Sequence, residues 1–134
     1  MRGLLVVFCL LAATACDEKG PIGPTVPLNE RFTLAPAEVA AIQGASIQLQ
    51  FVGVTGDSRC PADALCIQGG GAAVLVRVYE TGDPAEYDLH TGDARRTSAV
   101  HRDVTIELVE LQPYPFSSRT IEPSDYRATL VARR

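Results

Sequence analysis

The sequence predicts an all-β domain: a single antiparallel β-sandwich, or partly open barrel, of about six to eight strands with one disulfide. Three observations predict it. Apolar residues alternate with period two, rather than with the helical period, through most of residues 31–134. Gly, Pro and Asp clusters interrupt the alternation at short intervals, which is turn chemistry. Cys60 and Cys66 stand close enough in sequence to staple one loop.

Phe32-Thr33-Leu34 reads as an edge strand stopped by Pro36. Glu38-Val39-Ala40-Ala41-Ile42 reads as a shorter strand turned by Gln43-Gly44, with a helical turn as the alternative in so Ala-rich a segment. In the run from Ser46 to Val52, Ile47, Leu49 and Phe51 would face the core and Gln48 and Gln50 outward. From Ala72 to Tyr79, Val74, Val76 and Val78 share one face. Thr81-Gly82-Asp83-Pro84 turns that strand into Glu86–His90, which Thr91-Gly92-Asp93 ends. Ser98 to Arg102 pairs locally. Val104 to Leu111 alternates until Pro113 and Pro115 stop it, and Tyr126 to Ala132 is the final strand. Thr-Gly-Asp occurs at 55–57, 81–83 and 91–93, but the unequal spacings fit turns rather than a repeat.

Ahead of this domain stands an address. Gly3 to Ala15 is a mostly apolar stretch preceded by Arg2. It is shorter than the roughly 20 residues that span a bilayer, and it ends in small residues, as a secretory signal does. Ala15-Cys16 resembles the lipobox of bacterial lipoproteins, although Ala13 stands where that family usually has Leu. The resemblance implies a signal peptide over 1–15, a diacylglyceryl group on Cys16, and a chain anchored on the extracytoplasmic side of a bacterial membrane. Ala13-Thr14-Ala15 also satisfies ordinary signal cleavage. Cysteine arithmetic favours the lipoprotein: after cleavage Cys16, Cys60 and Cys66 remain, and lipidation of Cys16 leaves an even pair.

Residues 16–30 are expected to be the lipidated Cys and a tether. Pro21, Pro24 and Pro27 recur every third residue, so the segment favours extended polyproline geometry. A spacer of that length could hold the domain up to about 43 Å from the lipid. Residues 31–134 then form one domain with one core. The chain without its signal carries 11 basic and 16 acidic residues, a formal charge of −5. That balance argues against nucleic acid and against charge-driven binding to anionic lipid.

Pro123-Ser124-Asp125-Tyr126-Arg127-Ala128 is similar to the tyrosine corner of immunoglobulin-like sandwiches, in which the Tyr hydroxyl bonds upstream backbone. In that fold a further strand follows, whereas here the sequence stops at Arg134. Asp57-Ser58-Arg59-Cys60-Pro61, a second cysteine at Cys66, the strand beyond, and Pro113-Tyr114-Pro115 resemble a family of small uncharacterised bacterial exported proteins. Many of that family carry Trp-Ala-Gly after the second cysteine, where this chain has Gln68-Gly69-Gly70. The resemblance implies no particular activity.

Cys60 and Cys66 are read as a disulfide, because Cys-x5-Cys is not a redox spacing and two thiolates make a poor zinc site. A closed loop of this size contributes roughly 2 kcal/mol. Arg59 beside it either presents a bait loop or pairs with Asp57 or Asp63, and the ion pair is the favoured reading. Gly69-Gly70-Gly71 precedes a strand and reads as a flexible connector rather than a phosphate loop. Tyr114 and Phe116, between and after prolines, are candidate partner contacts with Arg59; the alternative is that they fold back and plug the sandwich. His90 and His101 could hold a metal with nearby aspartates in a metal-binding or delivery protein. No nucleophile–base motif is recognisable, so a hydrolase is the weakest reading and no cofactor is expected. The expected function is a non-catalytic binding or structural module of the cell envelope. Its expected partners are the membrane, through lipid on Cys16, and an envelope protein.

Overall fold

The computed structural model describes residues 23–134, so the expected signal peptide and Cys16 lie outside the described residues. Nine strands form two sheets. They are β1 (Thr25–Pro27), β2 (Arg31–Leu34), β3 (Val39–Gln43), β4 (Gln48–Asp57), β5 (Ala72–Tyr79), β6 (Ala85–His90), β7 (Ser98–His101), β8 (Val104–Gln112) and β9 (Arg127–Arg133). One sheet runs β1-β3-β4-β5-β6 and the other β2-β9-β8-β7. All pairings are antiparallel except β1 with β3. The sheets stay open at their edges, so this is a sandwich rather than a closed barrel.

The core follows the pleat. In β5, Ala72, Val74, Val76 and Val78 are buried while their neighbours are half-buried. They pack with Leu49 and Phe51 of β4 and Leu89 of β6, and across the sandwich with Ile106 and Leu108 of β8 and Leu130 of β9. A bulge between Leu108 and Glu110 shifts the phase, which is why Leu111 rather than Glu110 turns inward.

Three elements differ from the sequence reading. Residues Thr25–Pro27 belong to the domain rather than to the tether: they pair with Ala41–Gln43, the Ala41 amide donates to the Pro24 carbonyl at 2.8 Å, and Val26 and Leu28 pack on the core. Proline is tolerated there because β1 is a sheet edge. β4 runs on to Asp57, through Gly53 and Gly56, which two bulges absorb against β5. A short 3-10 turn, Pro123–Asp125, precedes β9.

The strand directions define two ends. The turns 44–47, 80–84 and 102–103 gather at one, and the loops 58–71, 91–97 and 113–126 at the other. The second carries the disulfide.

Candidate functional site: the disulfide end

β4 delivers Asp57 and Arg59 to the disulfide end, and β9 begins there beside Tyr126. Arg59 is 9% exposed. Its Nε donates to Asp57 Oδ1 at 2.9 Å and its Nη2 to Asp57 Oδ2 at 2.7 Å, a two-pronged pair. Nη1 donates to the Leu111 carbonyl at 2.7 Å, and Nη2 also to the Pro113 carbonyl at 3.0 Å. The guanidinium thus ties the start of the disulfide loop to the end of β8. Tyr126 donates its hydroxyl to Asp57 Oδ2 at 3.0 Å. The Tyr114 ring covers the guanidinium, 5.4 Å from Arg59 Cζ to the ring centroid.

The charges compensate internally. Burial works to raise the Asp57 carboxyl, but the hydrogen bonds from Arg59 and Tyr126 outweigh it and hold its pKa below the ordinary value. Burial likewise opposes the charge on Arg59, and the Asp57 carboxylate more than restores it. The Tyr126 hydroxyl is pushed up by burial and by its bond to Asp57.

Cys60 and Cys66 are bonded to each other. The disulfide loop lies against the Tyr114–Phe116 segment: the Ala62 amide donates to the Pro115 carbonyl at 2.9 Å. The Ser117 amide and hydroxyl both donate to Asp63 Oδ1, at 2.8 and 3.0 Å. The two loops singled out from sequence therefore form one surface. Leu65 and Ile67, flanking Cys66, are fully exposed, while Tyr114 is 50% and Phe116 46% exposed. Leu65 and Ile67 were not singled out by the sequence reading. Their one signal is that bulky apolar residues flank a cysteine in an otherwise polar loop.

Four expectations change. Arg59 is not an exposed contact or a bait, because its donors are spent inside the molecule; the ion pair is with Asp57, not Asp63. Tyr126 does not bond upstream backbone as a tyrosine corner does; it bonds the Asp57 carboxylate instead. The three glycines are not simply a flexible connector. A Cβ on Gly70 would lie 1.6 Å from the Ser58 carbonyl oxygen, and one on Gly71 would lie 2.2 Å from that of Thr91. Finally, the histidines are at opposite ends. His90 pairs with Ala73 and lines an open cleft of about 460 Å³ with Asp57, Gly70 and Asp93. His101 Nδ1 and the Tyr87 hydroxyl are hydrogen-bonded at 2.9 Å, and His101 Nε2 sits 3.4 Å from Glu80, beside the 102–103 turn. A metal held by both rings is incompatible with that separation. Among the described residues no cluster of three or more His, Cys, Asp or Glu is gathered for a metal.

Comparisons with protein-family models, curated proteins and solved structures return no match.

Proposed function

We propose that this chain is a lipid-anchored module of the bacterial cell envelope, held by an acyl group on Cys16, that works by contact rather than by catalysis. The observation that carries the reading is the joining of the disulfide loop to the Tyr114–Phe116 loop, which sets four apolar side chains on one end of a rigid sandwich. Leu65 and Ile67 are completely exposed, and apolar side chains gathered on one end of a domain mark a contact surface. The titratable groups beneath that surface support a non-catalytic role. Asp57, Arg59 and Tyr126 satisfy one another and the backbone, which leaves none of them free as a base or nucleophile.

The anchor reading rests on the signal-like N-terminus and on the even cysteine pair left once Cys16 is modified. Replacing Cys16 by Ser tests it. The native chain should fractionate with membranes and carry the mass of its acyl groups, and Cys16→Ser should lose that added mass and remain unprocessed. An unmodified, freely soluble native chain would contradict the reading.

A further inference from the structure

We infer that the disulfide end docks on the bilayer surface, with Leu65, Ile67, Tyr114 and Phe116 resting in the lipid interface. This deepens the contact reading above by naming its partner, and it rests on the anchor at Cys16.

The argument begins with chain length. β1 belongs to the sheet, so the spacer is far shorter than the proline pattern implies: seven peptide steps separate Cys16 from Gly23. Fully extended they cover about 23 Å. Gly23 lies against Val39, and Val39 faces Gln50, which in turn faces Arg77. From Arg77 to Ala72, whose partner Asp57 opens the disulfide loop, is five strand steps, about 17 Å. β1 is parallel to β3 and runs away from the disulfide end, so Gly23 is the end of β1 nearer to it. An acyl group on Cys16 can therefore reach the level of the disulfide loop and little beyond. The spacer holds Gly23 within about 23 Å of the lipid.

Surface chemistry then selects which end faces the lipid. At the opposite end, Glu80 is flanked by His101 and Arg102, and Arg134 pairs with Asp103 at 2.6 Å. Both ends carry exposed charges whose hydration the interface would cost, so the exposed apolar side chains decide between them. Of the exposed large apolar side chains among the described residues, all but Val100 are at the disulfide end. Aliphatic tips with flanking aromatic rings suit the headgroup boundary, where an aromatic body is buried and a hydroxyl stays wet. Beneath the surface the Arg59 and Asp57 charges compensate each other, while Asp63 and Arg119 of the same loops are exposed and keep their hydration at the rim. The chain's net acidity excludes attraction to anionic headgroups, so the contact is apolar and suits zwitterionic lipid.

The chain contains no tryptophan, so a single introduced indole reports on its own position. Leu65→Trp, Phe116→Trp and, as control, Val100→Trp would be made in the full chain, extracted and checked by intact mass for acylation and the disulfide. Each would be reconstituted into phosphatidylcholine vesicles with and without brominated acyl chains. Brominated lipid should quench Leu65→Trp and Phe116→Trp severalfold more than Val100→Trp, with blue-shifted emission at the first two only. Equal quenching at all three positions, or none at any, in acylated protein would overturn the docking while leaving the anchor intact, and would return the surface to a protein partner. An unacylated mass would remove the anchor, and the docking with it. Leu65 is fully exposed, so its replacement leaves the fold undisturbed and a negative result cannot be blamed on misfolding.

Discussion

Arg59 organises the disulfide end at the scale of a single side chain. It sits between the carboxylate of Asp57 and two backbone carbonyls, Leu111 and Pro113, with side-chain exposures of 5% for Arg59 and 14% for Asp57. Removing one partner of so buried a pair leaves a charge without compensation. Arg59→Ala should cost about 3–5 kcal/mol in denaturant unfolding. Arg59→Lys should lose part of that, because an ammonium cannot reproduce the fork. Acid should weaken the same network. The folded Asp57 carboxyl titrates below its ordinary value of 3.8, so its stabilisation is complete above that value and is lost as the pH falls through the depressed folded pKa. Asp57→Asn should be less stable at neutral pH and show a shallower loss below pH 3.8 than the native chain, read from unfolding midpoints across the acid range. At this scale the sequence was partly legible. An Asp-x-Arg spacing allows an ion pair, and the disulfide needs only two nearby cysteines. The Asp57–Tyr126 bond joins residues 69 apart, which local pattern cannot show.

Among the elements, the strands that alternate cleanly were readable, because burying one face of a pleated sheet forces period two. β5 and β8 are the clearest examples. The elements that escaped are those where another constraint governs. β1 is a three-residue edge strand containing proline, and it exists because β3 offers an unpaired edge. The last part of β4 contains two glycines, which read as a stop but are carried by bulges. The glycine run before β5 reads as slack in sequence yet is packed in the structure, since the Ser58 amide donates to the Gly71 carbonyl at 2.9 Å. Gly70→Ala should therefore destabilise by about 3 kcal/mol, because the Cβ must displace backbone. Gly69→Ala, with nothing within 4 Å of its Cβ, should change stability by less than about 0.5 kcal/mol. Thermal or denaturant midpoints of the two variants decide the point, and equal effects would show that the close approach at Gly70 relaxes freely.

Over the whole molecule, the fold class was legible in the sequence. The sandwich follows from alternation and turns, and the expected disulfide is formed. The adjacency of the two loops was not readable, because it depends on how β4, β8 and β9 converge at one end. That convergence gives the molecule its polarity: among the described residues, the exposed large apolar side chains other than Val100 gather at the disulfide end, and an edge strand fixes where the chain enters. The proposed role depends on this polarity together with an anchor at Cys16. The intact mass of the protein extracted from membranes in mild detergent tests that dependence most directly. The account predicts a chain beginning at Cys16, heavier by its acyl groups, with the Cys60–Cys66 bond oxidised and no metal adduct. A chain of unmodified mass recovered without detergent, or one carrying a metal, would contradict it.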